Sequence, residues 1–290
     1  MTAAPTAKPA IPTAWYDPIV RFARTPKGVL LGILPILIAL TAPGASGGTG
    51  RAWLVAGIAA ATAAATDLIA FAIRKHGLLL PDGALLTGLI VGMILDPSLP
   101  LWQIAAVSAG AILTKHLIRV RRGHVLNPAA AALVGAGLIG VKAQSWWGVS
   151  SAPWYLILPV LIVTGLFVTD RVNRLPMVGA YLVTYYGAAI IGLFAGLAGR
   201  LSESYQSPFV NAALFAALVM LTDPPTSPAK RTDQLRYGMV CAIAGLVFVV
   251  LARQLYFLPL GLLVGNLWVV FVRSQRRAAS TARQRQAQPE

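Results

Sequence analysis

Three polar motifs stand at the edges of apolar runs in this sequence, and each carries groups that could hold a small molecule. LPDGALLTG (80–88) contains Asp82, Gly83 and Thr87; HVLNPAA (124–130) places Asn127 before Pro128; MLTDPPTSPAK (220–230) sets Asp223, Thr226 and Ser227 among Pro224, Pro225 and Pro228. Carboxylate, amide and hydroxyl groups beside Gly and Pro suit hydrogen bonding to a ligand or to free helix ends. Each motif also has a local reading. Asp82 and Asn127 are good N-caps, Gly83 permits close backbone approach, and Asp223 can accept from the N–H groups of Thr226 or Ser227. Asp67 lies inside the apolar stretch ATDLIAFAIRK, where a charge costs about 2.5–3.5 kcal/mol on insertion scales. Arg74 is seven residues on, on the same helical face but two turns away. Asp67 is a candidate proton or polar relay, and Asn266, an amide within the last apolar run, is a second.

Other chemistries find little support. His76, His116 and His124 show no spacing for bis-histidine haem ligation, and the single Cys241 excludes a disulfide framework or an iron–sulfur or zinc site built from this chain's thiols. There is no Gly-rich dinucleotide fingerprint, Walker motif or nucleophile elbow. Electron transfer by this chain would need a bound organic cofactor.

The elements that must position these motifs are membrane helices. Of 290 residues 57% are hydrophobic and 11% charged, with mean hydropathy +0.71, against about a quarter charged in a soluble domain. Apolar runs at 28–43, 51–73, 83–95, 101–118, 128–141, 153–169, 175–199, 208–222, 235–252 and 256–272 predict an all-α integral membrane protein of about ten transmembrane helices. No cleavable leader is read before the first run. Ten spans leave only Arg51, Lys142, Arg200 and Arg253, of 24 Lys and Arg, on the far side. That bias predicts cytoplasmic termini in a bacterial-type inner membrane, and it explains the net charge of +15 without nucleic acid. The expected layout is a basic cytoplasmic segment at 1–27, a five-helix repeat at 28–141, an outer loop with a second repeat at 142–272, and a basic, disordered cytoplasmic tail at 273–290 that can touch anionic lipid.

Two stretches suggest that the halves share one design. PDGALLTGLIVGMILDP (81–97) and PFVNAALFAALVMLTDP (208–224) both begin with Pro, carry Met in the same register and end in Asp-Pro. Each is the third run of a five-run half, so the copies would insert in opposite orientation, a 5+5 inverted repeat. Both runs are too short to cross alone: 13 or 14 residues reach only about 20 Å of a hydrocarbon core about 30 Å thick. Short, Pro-bounded, interrupted helices at matching places point to a central binding site.

LPDGALLTGLIVGMILDP, HVLNPAAAALVG, MLTDPPTSPAKRTDQLRYG and the closing VGNLWVVFV resemble, in order and spacing, the signature segments of the RnfD/NqrB family of membrane electron-transport subunits. The resemblance spans roughly residues 20–272. It implies a ten-helix inverted-repeat fold distantly shared with urea transporters, and work as a flavin-carrying electron conduit. Those subunits link flavin mononucleotide to a threonine in the loop between the fifth and sixth spans. Here that loop is KAQSWWGVSSAP (142–153), short and without threonine, so a flavin (FMN or riboflavin) would be non-covalent. Trp146, Trp147 and Trp154 suit an interfacial aromatic belt, or stacking on an isoalloxazine. The expected function is a redox subunit holding flavin or quinone, with other redox membrane or flavoprotein subunits as partners, in the lipid bilayer and with a homo-oligomer left open. A channel or carrier for a small polar solute is the alternative, and a ligand-free scaffold is a third reading.

Overall fold

The computed structural model describes residues 17–74, 80–120, 123–141, 144–196, 209–252 and 256–286. Helices occupy all ten apolar runs. After a short α1 (Asp17–Ala23) come α2 (Pro26–Thr41), α3 (Gly48–Ile73), α4 (Asp82–Ile94), α5 (Leu101–Leu117) and α6 (Pro128–Leu138). Then follow one turn of helix, α7 (Trp147–Ser150), α8 (Trp154–Arg171), α9 (Leu175–Phe194), α10 (Phe209–Phe215) with a π-helical turn (Ala216–Met220), α11 (Arg231–Ala252) and α12 (Phe257–Gln286). A two-residue hairpin, β1 (Arg119–Val120) and β2 (Gly123–His124), links α5 to α6. His76, Lys142, Arg200 and Arg253 lie outside the described residues, as does the end of the seventh run beyond 196.

Among the described residues six helical segments are long and apolar enough to cross a membrane: Pro26–Gly44, Gly48–Ile73, Trp154–Arg171, Leu175–Gly192, Arg231–Leu251 and Phe257–Ser280. Their outer faces expose large apolar side chains such as Ile69, Val163, Val183 and Leu251, which water would not tolerate in such number but lipid does. The protein is an all-α, multi-pass membrane protein.

Small residues set the packing. A Cβ on Gly88 would lie 2.5 Å from the Ala59 carbonyl oxygen, and one on Gly92 would lie 3.0 Å from Ala56 Cα. This Gly-x-x-x-Gly face lets the backbone of α4 settle on the alanine face of α3, as in small-residue membrane packing. Gly261 and Gly265 do the same for α12 against α11, where a Cβ on Gly261 would lie 2.3 Å from the Cys241 carbonyl oxygen. Around these contacts α3 packs along α4 and α5, α11 along α9 and α12, α2 against α8, and α6 against α12.

The short helices end inside protein, so their free carbonyls need partners. At the end of α4, Ile94 O accepts from Ser145 N at 2.9 Å and Trp146 N at 3.1 Å, and Gly92 O accepts from Trp147 Nε1 at 2.8 Å. Trp146 and Trp147 are therefore buried plugs, 0% and 1% exposed, and not part of a surface belt; the helix end needed donors. Trp154, 67% exposed, is placed as a belt residue would be. Beyond α4, Ser98 N donates to Asp96 Oδ1 at 2.8 Å, and Arg51 clasps Pro97 O at 2.8 Å and Leu99 O at 2.7 Å.

The tail differs from its expectation. Helix α12 runs on to Gln286 where 273–290 reads as disordered. Its first turns past the apolar run are tied down: Arg273 donates to Pro225 O and Ser227 O, and Arg276 donates to both carboxylate oxygens of Asp233.

Candidate functional site

Three helix starts and one helix end meet around a cavity of about 620 Å³. Thr25 starts α2 by accepting from Gly28 N at 3.1 Å, Asp82 opens α4, and Asn127 caps α6 by accepting from Ala130 N at 3.1 Å. The π turn brings Val219, Thr222 and Asp223 to the same space. Asp82, Gly83, Thr87, Asn127 and Asp223 all line this cavity, although they come from three separate sequence motifs. Leu30, Leu86, Ile90, Val168 and Val219 supply apolar lining.

Asp82 is the first residue of α4 and not its N-cap, which is Pro81. One oxygen, Oδ1, accepts from Gly83 N at 2.6 Å and the other pairs with Lys27 Nζ at 2.9 Å. The space beside Gly83 is open: an added Cβ would meet only Lys115 Nζ, at 3.9 Å. Thr87 Oγ1 donates to Gly83 O at 2.8 Å. The turn after Asp223 is closed by its backbone carbonyl, which accepts from Ser227 N at 3.0 Å, and not by its side chain accepting an N–H as the sequence suggests. Its carboxylate accepts from Thr226 Oγ1 at 3.0 Å and lies 3.2 Å from His124 Nε2. Turn formation and cavity lining thus coexist in one residue.

Two predicted residues fall elsewhere. Thr226 lines a neighbouring recess of about 280 Å³ together with Asn266. Ser227, 1% exposed, accepts from Arg174 Nε at 3.0 Å and ties the loop to the turn between α8 and α9. Burial there, with Arg273 adding repulsion, lowers the Arg174 pKa from its ordinary value, and a guanidinium so perturbed still stays charged at neutral pH.

Asn127 and Asn266 form a buried polar chain. Asn266 Oδ1 accepts from Asn127 N at 2.8 Å, Asn266 Nδ2 donates to Tyr237 Oη at 2.7 Å, and Asn127 Nδ2 donates to Met220 O at 3.1 Å. This chain satisfies the carbonyl left free at the end of the π turn and fixes α6 against α12. It gives Asn266 structural partners in Asn127 and Tyr237.

Asp67 is 1% exposed, and its partners come from α5 and not from Arg74 on its own helix. Lys115 Nζ donates to Oδ1 at 3.0 Å and to Oδ2 at 3.1 Å, and His116 Nε2 lies 2.6 Å from Oδ1. Arg74 instead donates to His116 O at 2.8 Å, which closes the end of α5. Lys115 also lines the cavity, so it joins the buried carboxylate to that space. Lys27, Lys115, His124, Thr25 and Thr222 are polar lining residues that sequence reasoning passed over. Only His124 and Thr222 had a signal, their places in HVLNPAA and MLTDPPTSPAK.

Among the described residues no group of three His, Cys, Asp or Glu is arranged to hold a metal ion. Compared with known proteins, the chain matches no family model and no curated protein.

Proposed function

We propose that this chain is a subunit of a membrane electron-transport system of the Rnf/Nqr kind, holding a non-covalent flavin or quinone in the cavity among its short helices. The carrying observation is that cavity: about 620 Å³, with Asp82, Gly83, Thr87, Asn127 and Asp223 around an otherwise mainly aliphatic lining. Apolar pockets of about 300–1,000 Å³ with a few convergent polar groups suit ring-sized organic ligands. A small polar solute would fill little of it, which makes the carrier reading the second one.

The lining fits a flavin chemically. Leu86, Ile90, Val168 and Val219 can flank a planar ring, while Thr87 and Thr222, whose hydroxyls already donate to Gly83 O and Leu218 O, keep lone pairs for ligand N–H groups. A bound flavin would supply one- and two-electron transfer. The chain contributes the apolar shielding, and the charges of Lys27, Lys115, Asp82 and Asp223 set the local field. With no dinucleotide fingerprint in the sequence, electrons would come from and go to partner redox subunits.

The 5+5 inverted repeat belongs to the same proposal. In its favour, α2 packs on α8 and α6 on α12, which are corresponding members of the two halves. The third helices α4 and α10 are both short, and each leads to an Asp-Pro turn whose carbonyls an arginine clasps, Arg51 in one case and Arg273 in the other. Counting α4, α5, α6 and α10 as crossings beside the six longer segments gives ten spans. The Lys and Arg bias then puts both termini in the cytoplasm of a bacterial-type inner membrane.

Replacing Asp223 with Ala should lower the flavin retained per chain severalfold after gel filtration in mild detergent, with unchanged elution volume. Full retention accompanied by lower thermal stability would leave Asp223 as a turn former only and count against this site.

A further inference from the structure

Beside the cavity lies the recess of about 280 Å³, and His124 and Pro225 line both spaces. Its charged lining is cationic: Arg273 and Arg277 stand one turn apart on α12, Ser274 and Thr226 add hydroxyls, and among the described residues no carboxylate lines it. The acids nearest in sequence are otherwise engaged. Asp223 lies against Thr226 and His124, and Asp233 takes Arg276. Arg273 is held in place by Pro225 O at 3.3 Å and Ser227 O at 2.9 Å, which leaves the remaining N–H groups of its five-donor fork for another acceptor. Two adjacent guanidinium groups repel unless an anion sits between them, and planar N–H forks match phosphate oxygens.

We propose that this recess is a phosphate-binding subsite, taking the phosphate monoester of a ligand whose ring occupies the larger cavity. The inference rests on the flavin reading and sharpens it: the chain prefers flavin mononucleotide to riboflavin, because only the former carries an anion to place on Arg273 and Arg277. The ligand's polar arm passes His124 and Pro225, which line both spaces. A phospholipid headgroup in the surrounding membrane offers the same phosphate chemistry and is the other source of such an anion.

The test uses the full chain in nanodiscs, with FMN and riboflavin titrated separately by quenching of flavin fluorescence, and with R277Q as the variant, since Arg277 holds no loop carbonyl. In neutral lipid the wild type should bind FMN about tenfold or more tighter than riboflavin, about 1.4 kcal/mol per decade. R277Q should erase most of that preference and leave riboflavin affinity unchanged. Raised salt should weaken FMN binding more than riboflavin binding. A second arm measures, by native mass spectrometry, the phosphatidic acid retained from nanodiscs containing it. If neither flavin binds but R277Q loses retained phosphatidic acid, the phosphate subsite stands with lipid as its source, and the flavin reading fails. If both flavins bind equally, and R277Q changes neither them nor lipid retention, the subsite is refuted while the flavin reading survives.

Discussion

Replacing Lys115 with Met tests the most unusual electrostatic feature of the protein, a carboxylate sunk between α3 and α5. Asp67 has 2% of its side chain exposed, against 22% for Lys115. The wild-type carboxylate accepts two contacts from Lys115 Nζ and one from His116. Met keeps most of the aliphatic volume but removes the cation, so the buried carboxylate of Asp67 is left with His116 alone. Breaking a buried pair from one side costs about 3–5 kcal/mol, because the other charge stays behind. At the roughly 2–4 °C per kcal/mol seen for chains of about this size, that corresponds to roughly 6–20 °C of thermal stability. Asp67→Asn should cost less, since Lys115 reaches the cavity and its ammonium can find water there. The double variant should recover part of the loss through a favourable coupling of about 1–3 kcal/mol. Thermal unfolding followed by tryptophan fluorescence in one detergent would measure all three. A Lys115→Met variant within 2 °C of wild type, or a double variant at about the sum of the singles, would refute a tightly coupled buried pair.

Asn127→Ala should destabilise by about 2–3 kcal/mol, from a lost cap at α6 and an unpaired Met220 carbonyl, and Asn127→Asp should keep the cap but not the bond to Met220 O; denaturant titration of both variants would separate the two terms. Trp147→Phe removes the donor to Gly92 O and should cost about 1–2 kcal/mol, while the exposed Trp154 should tolerate the same change within about 0.5 kcal/mol in the same assay. Gly88→Val would drive side-chain atoms into the α3 backbone near Ala59, so it should abolish a monodisperse peak in detergent gel filtration.

The apolar runs were legible because helix burial in lipid needs an uninterrupted composition, and Pro and charge mark where it stops. Asp223, Asp82 and Asn127 were legible as a group for a related reason: a short helix ending inside the bundle needs polar residues at its ends, and those residues then face whatever space the ends enclose. Pairings across the bundle were not legible. Lys115 and His116 are 48 and 49 positions from Asp67, and no periodicity links α3 to α5. Arg74 looked nearer along one helix but turned to the His116 carbonyl. Trp146 and Trp147 misled because an aromatic pair at the end of a membrane run has the composition of an interfacial belt, whereas the α4 carbonyls required donors there. Helix beyond 273 was missed because the charge of that stretch argued for solvation, and the ties of Arg273 and Arg276 to distant loops appear only in three dimensions.

The central claim, that the cavity between the short helices holds a non-covalent flavin, is tested most directly by the visible spectrum of protein purified in mild detergent, taken before and after acid precipitation. The account predicts flavin absorbance in the folded protein, near one flavin per chain, released wholly into a yellow supernatant. A coloured pellet would contradict the non-covalent attachment, and a protein colourless in every preparation and unable to take up added flavin would contradict the claim itself.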